Sequence, residues 1–284
     1  MTACAIHISD LHRGTREEPA LDDALVALCH ELRPELVIAS GDLSNRGRRA
    51  ELEQAKTLLD RLPAPALAVP GNHDIPYTLP ARVTRPWDLF VDVLGTTEPV
   101  VRTESAVACG LNSVRPWRHQ GGRVDVSRLA SVEDTLGSGA PGALRIVVLH
   151  HHLAGAPWRA SRKFPLKQRD SVLRTLAAAG AELVLGGHIH QSTAVERKSF
   201  EALPDDGPGG SLVLSTAPGF GRPRPHRLGE ANGLHVVRWT DDELEIETRI
   251  WRHGGRFEPT AVVRAPRHNG GLDGRGQPPL PSSL

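Results

Sequence analysis

The chain has 284 residues, 39% of them hydrophobic and 24% charged, which suffices for one large α/β domain with a complete core. A formal net charge of +1 excludes an overall field drawing it to nucleic acid or an anionic membrane, and no apolar run reaches the length of a membrane span. No signal peptide is readable before the first apolar run, and Cys4, Cys29 and Cys109, with no CxxC spacing, read as free thiols of a cytoplasmic protein.

In chain order, Ala5-Ile6-His7-Ile8 predicts a strand ending at Ser9-Asp10. Leu21, Leu25, Leu28 and Leu32 recur at helical spacing before Pro34, and Leu36-Val37-Ile38-Ala39 is a second buried strand that ends at Gly41-Asp42. Residues 49–62 read as a helix closed by Pro63, and Leu67-Ala68-Val69 as a third strand running into Gly71-Asn72-His73-Asp74. A strand is expected over 106–111, a helix over 126–136, a strand over 145–149 ending at His150, a helix over 166–179 and a strand over 182–185 ending at Gly186-Gly187-His188. The last runs, 212–215, 234–237 and 244–251, read as antiparallel strands completing a second sheet. Residues 1–264 are expected to form the domain, and the Gly- and Pro-rich residues 265–284 a disordered or loosely held tail.

Candidate metal ligands recur where the strands end: Asp10 and His12 after the first, Asp42 after the second, Asn72 and His73 after the third, then His150, and finally His188 and His190. In open α/β sheets ligands gather at the carboxyl ends of strands, so these side chains should converge. Carboxylate, imidazole and amide oxygen together suit manganese, iron or zinc, and a pair of such ions about 3.5–4 Å apart can clamp both oxygens of an in-line displacement. Asp42, alone between turns, suits the bridging position, and His188 and His190 would share one side of an extended segment.

Asp10-x-His12, Gly41-Asp42, Gly71-Asn72-His73-Asp74, His150-His151-His152 and Gly187-His188-x-His190, in that order, resemble the signature of the calcineurin-like metallophosphoesterase superfamily over residues 5–190. The resemblance implies a four-layer α/β-β/α sandwich with two mixed sheets and a binuclear centre on one edge, holding two divalent ions (Mn²⁺, Fe²⁺/Fe³⁺ or Zn²⁺). Carried over by position, Asp10, His12, Asp42 and His190 would hold one ion, and Asp42, Asn72, His150 and His188 the other. His73 would act on the substrate phosphate, with Asp74 orienting its ring. The family pattern places the ligand first in the histidine run, hence His150, and leaves His151 or His152 as a substrate-lining residue. Leu153 stands where proline usually follows. Arg13 is a candidate phosphate contact, and Trp117, Arg118, His119, Trp158, Arg162 and Lys163 are candidate pocket residues. His7, His30, His235, His253 and His268 read as structural or surface residues.

Asn45-Arg46-Gly47 departs from the Asp-Arg-Gly of the phosphoprotein phosphatases, which argues against that branch. Gly110-Leu111-Asn112-Ser113 and the loop after it resemble instead the class III cyclic-nucleotide phosphodiesterase branch, which includes glycerophosphodiesterase-type enzymes. The expected activity is hydrolysis of small phosphodiesters by metal-activated water. The alternatives are a phosphomonoesterase, nucleotidase or nuclease of the same superfamily, or a non-catalytic metal-binding scaffold. The expected partner is a small phosphate ester, with no membrane and no nucleic acid, and homo-oligomerisation is left open.

Overall fold

A computed structural model of the chain describes residues 2–15, 18–154, 165–199, 212–221, 230–252 and 255–267. β1 (Ala3–Ile8), β2 (Leu36–Ala39) and β3 (Ala66–Ala68) run parallel side by side. α1 (Pro19–Leu32) and α2 (Arg49–Asp60) connect them. Proline in the first turn of α1 fits a position whose N–H has no helical partner, and Arg33 ends the helix in a left-handed cap (φ 48°) just before Pro34. α2 is tied to the loop that precedes it, because Glu51 accepts the Arg46 amide at 2.7 Å.

Two short helices, α3 (Ala81–Thr84) and α4 (Asp88–Leu94), lead to a second sheet. It contains β4 (Val100–Arg102), β5 (Ala106–Gly110), β6 (Leu144–Val148), β7 (Leu183–Gly186), β8 (Thr193–Glu196) and β9 (Val213–Thr216), in the order β4-β5-β6-β7-β9-β8. β5, β6, β7 and β9 are parallel, with β4 and β8 antiparallel at the edges. The helix expected over 126–136 is two, α5 (Val126–Ala130) and α6 (Val132–Gly137), interrupted at Ser131. α7 (Arg169–Ala178) begins later than its apolar spacing suggests, after Gln168 at φ 63°.

The C-terminal strands correct the expectation: the run at 212–215 joins the second sheet as β9 but parallel to β7, not antiparallel. β10 (Gly233–Trp239), β11 (Glu243–Arg252) and β12 (Arg256–Pro266) do not extend the second sheet; they join the first, whose order is β12-β11-β10-β1-β2-β3. β10 lies antiparallel against the free edge of β1, pairing His7 with His235. β12 also passes the expected start of the tail: Ala265 is buried opposite Leu244, and Arg267 bonds Glu182 at 2.9 Å.

Side-chain alternation along the strands builds the four layers. Ile6, Ile8, Val37 and Ala39 pack with Leu21, Leu25 and Leu52 of the outer helices. Their neighbours Ala5, Leu36 and Ile38 pack instead against Ala108, Ile146 and Leu183 of the second sheet. On the far side, Val107, Val147 and Val184 meet Val132, Leu173 and Leu176. A truncation such as Leu25→Ala, at a fully buried position, would cost ~2–5 kcal/mol. The consequence for function is positional. Two parallel sets of strands finish at one edge of the sandwich, and the amides of Phe220 and Gly221 reach across to the carbonyls of Ser9 and Asp10 at 2.8 and 2.9 Å.

Candidate metal centre

The loops leaving β1, β2, β3, β6 and β7 meet at that edge. The first two continue as a pair, with Asp10 N–H donating to the Gly41 carbonyl and His12 N–H to the Asp42 carbonyl, both at 2.9 Å. Among the described residues seven non-glycines have positive φ, and five of them are Asp10 (56°), His12 (49°), Asp42 (53°), His188 (74°) and His190 (56°). Left-handed backbone is costly for side chains with a Cβ and persists where a fold holds it for a purpose. That it coincides with the candidate ligands marks these turns as built for side-chain direction. It also replaces the extended segment expected for His188-Ile189-His190 with two left-handed residues flanking a buried Ile189. Glycines permit the close approach: a Cβ on Gly71 would collide with the Asp42 amide and carboxylate, and one on Gly187 would lie 2.7 Å from Asp10 Oδ2.

Two clusters result. In the first, Asp10 Oδ1 lies 3.1 Å from His190 Nε2, and His12 Nε2 lies 3.2 Å from His190 Nε2. In the second, His150 Nε2 lies 3.2 Å from both Asn72 Oδ1 and His188 Nδ1. Asp42 Oδ2 stands between them, 3.7 Å from His12 Nε2 and 3.4 Å from His150 Nε2. Asp10, His12 and His190 form one group whose ligand atoms all lie within 4.8 Å of one another, and Asp42, His150 and His188 form another. With these ring nitrogens unprotonated, lone-pair atoms would face lone-pair atoms, an arrangement that a cation between them satisfies.

The electrostatics agree. Asp10 and Asp42 are fully or almost fully buried, and among the described residues their only ion-pair partners are histidines. Burial pushes both carboxyls up, but neighbouring imidazoles hold them well below the usual range: His190 first for Asp10, His150 and His73 for Asp42. Burial lowers His12 to about 3, against the opposing pull of Asp42, so its ring is neutral and ready to ligate. Burial would lower His150 as well, yet Asp42 and Asp10 raise it to about 9. The two carboxylates demand positive charge at this point, and the residues present fit a divalent metal that would displace that proton.

The ring nitrogens away from the clusters are fixed by the scaffold. His150 Nδ1 donates to the Ser40 carbonyl at 2.8 Å, leaving Nε2 directed at the second cluster. His73, less buried than the clusters behind it, donates from Nδ1 to the Asn45 carbonyl at 2.7 Å. Its ring stands perpendicular to that of His12 at 4.8 Å. Asp74 does not orient His73, which corrects the expected role. Its carboxylate accepts the amides of Leu43, Ser44 and Gly71 and the Ser44 hydroxyl, all at 2.7–3.1 Å, and so staples the loops after β2 and β3.

Two weaker expectations are also corrected. His151 is fully buried, its Nδ1 2.8 Å from Ser113 Oγ and its ring 4.7 Å from that of His188, so it supports the cluster from behind. Arg13 is held by Asp22 at 2.7 Å, beside a small cavity that it lines together with His12. His152 stacks on His188 at 6.0 Å, and Leu153 belongs to the apolar layer under α7. Of the loop at 117–119, His119 lines a groove with Asn72, His73, Tyr77 and Gln120. Trp158, Arg162, Lys163, His253 and His268 lie outside the described residues. Asn45 and Ser40 act through their carbonyls and Ser113 through its hydroxyl, roles that the side-chain pattern alone does not assign. The exposed aromatic Tyr77, five residues past Asn72, is a signal that could have been read.

Fold and site together define a two-sheet α/β sandwich with an acid- and histidine-rich candidate metal centre at one edge. Residues 5–192 match the model of the calcineurin-like phosphoesterases, and the chain belongs to that family. It is 29% identical over 205 residues to a probable cyclic nucleotide phosphodiesterase of Synechococcus sp., a match covering 68% of this chain and 75% of that protein. It is 25% identical over 221 residues to a cAMP/cGMP dual specificity phosphodiesterase of Mycobacterium tuberculosis, covering 70% of this chain and 64% of that one. The purple acid phosphatase from yellow lupin seeds shares the fold, with a TM-score of 0.64 at 11% identity, over 93% of this chain and 53% of that structure. Among the described residues no helix is long and apolar enough to cross a membrane.

Proposed function

We propose that the protein hydrolyses small phosphodiesters at a binuclear centre in which Asp10, His12, Asp42 and His190 hold one ion and Asp42, Asn72, His150 and His188 the other. The observation that carries this reading is the position of Asp42 Oδ2 between the two clusters, within 3.7 Å of a ring nitrogen in each. The mixed carboxylate, imidazole and amide donors favour manganese, iron or zinc over magnesium or calcium. Two such ions, when bound, would supply Lewis-acid polarisation of the phosphoryl oxygens and of the attacking water.

The chain's own residues do the rest. Asp42 and Asp10 neutralise the positive charge gathered at the site, and the scaffold bond from Ser40 keeps His150 in one tautomer. His73 faces the open side. Because Nδ1 points at a carbonyl, which only accepts, that nitrogen keeps its proton, and Nε2 is the atom that gains or loses one. His73 therefore donates to a phosphoryl or leaving oxygen only as the imidazolium, passing the Nε2 proton to the departing alkoxide. The names of the two relatives support a diester substrate.

The test is a screen of purified protein with Mn²⁺ against bis-p-nitrophenyl phosphate, p-nitrophenyl phosphate and 2′,3′- and 3′,5′-cyclic nucleotides. Diesters should turn over faster than the monoester. A preference for the monoester would reassign the substrate class, and no turnover with any of Mn²⁺, Fe²⁺ or Zn²⁺ would overturn the hydrolase reading.

A further inference from the structure

An open groove of about 280 Å³ begins at Asn72 and His73 and is walled by Tyr77, His119 and Gln120. Tyr77 is 57% exposed, unusual for an aromatic ring beside a buried polar cluster. Its ring centroid lies 6.2 Å from that of His119, with the planes at 57°. The two walls come from different loops, and one buried side chain sets their spacing. Arg82, 5% exposed, donates from Nε to the Pro116 carbonyl at 2.7 Å and from Nη1 to the Pro76 carbonyl at 3.2 Å. Burying a guanidinium to join two loop carbonyls is costly, and here it ties the residue directly before Tyr77 to one three positions before His119.

The chemistry of the walls narrows the occupant. The Arg46 guanidinium sits 6.0 Å from the Tyr77 ring centroid, so one face of that ring already carries a cation. A second cation, such as a choline head group, would be repelled, whereas a neutral planar ring could stack on the remaining face. Gln120 adds an amide that both donates and accepts, suited to the edge of a heteroaromatic base. We propose that this groove is a nucleobase subsite: Tyr77 is the stacking platform, His119 the second wall and Gln120 the edge reader. Arg82 is a positioning residue. The proposal rests on the reading of the adjoining cluster as a phosphodiester hydrolase, and it narrows that substrate class to nucleotide esters over glycerol or alkyl esters.

The experiment is calorimetric titration of the full chain loaded with Mn²⁺, using AMP and ribose 5-phosphate, which differ by the base alone, with phosphocholine as a third probe. Wild type should bind AMP more tightly than ribose 5-phosphate by roughly 5- to 150-fold, the range that loss of one base–aromatic stack implies. Tyr77→Ala should abolish that preference and leave ribose 5-phosphate binding unchanged, while Tyr77→Phe retains it. Equal binding of AMP and ribose 5-phosphate by wild type would overturn the subsite, as would a preference for phosphocholine or an unaltered AMP preference in Tyr77→Ala. Turnover of bis-p-nitrophenyl phosphate by the same preparation separates the two readings: turnover without base preference sinks the subsite alone, and its absence with every metal sinks the function beneath it.

Discussion

The backbone amide of His73 donates to Oδ1 of Asp42 at 2.8 Å, so the residue facing the substrate side is tied through its main chain to the carboxylate between the two clusters. The tie does not involve the imidazole. His73→Ala should therefore keep the loop and the metal content of wild type while lowering kcat by ~10²–10⁴-fold. Since His73 donates only as the imidazolium, the loss should be larger for esters with poor leaving groups. Equal losses for good and poor leaving groups, measured on a series of aryl and alkyl esters, would assign it to charge stabilisation instead. An unchanged kcat would remove it from the site.

Asp42→Asn keeps an oxygen for the His73 amide but removes the negative charge shared by both clusters. The variant should fold and lose metal from both positions, with activity below detection. Elemental analysis after dialysis decides: two retained equivalents would contradict a bridging role.

The histidine run provides a register test. His150 Nε2 faces Asn72 and His188, whereas His151 Nδ1 is committed to Ser113 and His152 stacks behind His188. His150→Ala should raise the Mn²⁺ concentration needed for half-maximal activity at least tenfold. His152→Ala should leave metal stoichiometry unchanged. A raised requirement in His151→Ala, with none in His150→Ala, would move the ligand by one residue.

Asp74 is expected to behave as a structural residue. Alanine there strands the buried amides of Leu43, Ser44 and Gly71, each an unsatisfied donor costing ~1–3 kcal/mol. Thermal or urea unfolding of Asp74→Ala should show a loss of at least about 3 kcal/mol, together with weaker metal binding. His73→Ala should show neither. Wild-type stability in Asp74→Ala would mean that the two loops are held by other contacts.

That the candidate ligands converge was legible because polar residues at the ends of apolar strands have no packing role, and the parallel order of β1, β2 and β3 carries three of their loops to one edge. The partnership of β10–β12 was not legible, since an apolar run such as Leu234-His235-Val236-Val237 does not specify which free edge it joins. Asp74 was misread for a related reason. A carboxylate next to a histidine looks the same in sequence whether it meets the imidazole or three backbone amides. The groove between Tyr77 and His119 depends on Arg82 joining loops some forty residues apart, a contact that no local pattern encodes.

Behind the clusters, His235 should govern part of the acid sensitivity. Its ring is fully buried between the sheets, with Nδ1 2.8 Å from Ser215 Oγ and Nε2 2.8 Å from Ser192 Oγ, which itself lies 2.8 Å from Thr248 Oγ1. Burial lowers its pKa from 6.5 to about 3. The sign follows: below pH 6.5 the unfolded chain takes up a proton that the folded chain refuses until about pH 3. The stability this neutral ring contributes is complete above pH 6.5 and is lost as pH falls toward 3, at most about 5 kcal/mol in all. His7, lowered by its own burial and by His235 beside it, acts in the same direction. His235→Gln keeps a donor and an acceptor but cannot titrate. Urea unfolding at pH 7.5 and 4.5, in EDTA so that metal release does not contribute, should show the wild type losing about 2–3 kcal/mol more between the two conditions than the variant. Carboxylates titrating in both proteins cancel in that difference. An equal loss in wild type and His235→Gln would show that the folded protein accepts the proton without penalty, and the inter-sheet network would then have no part in the acid response.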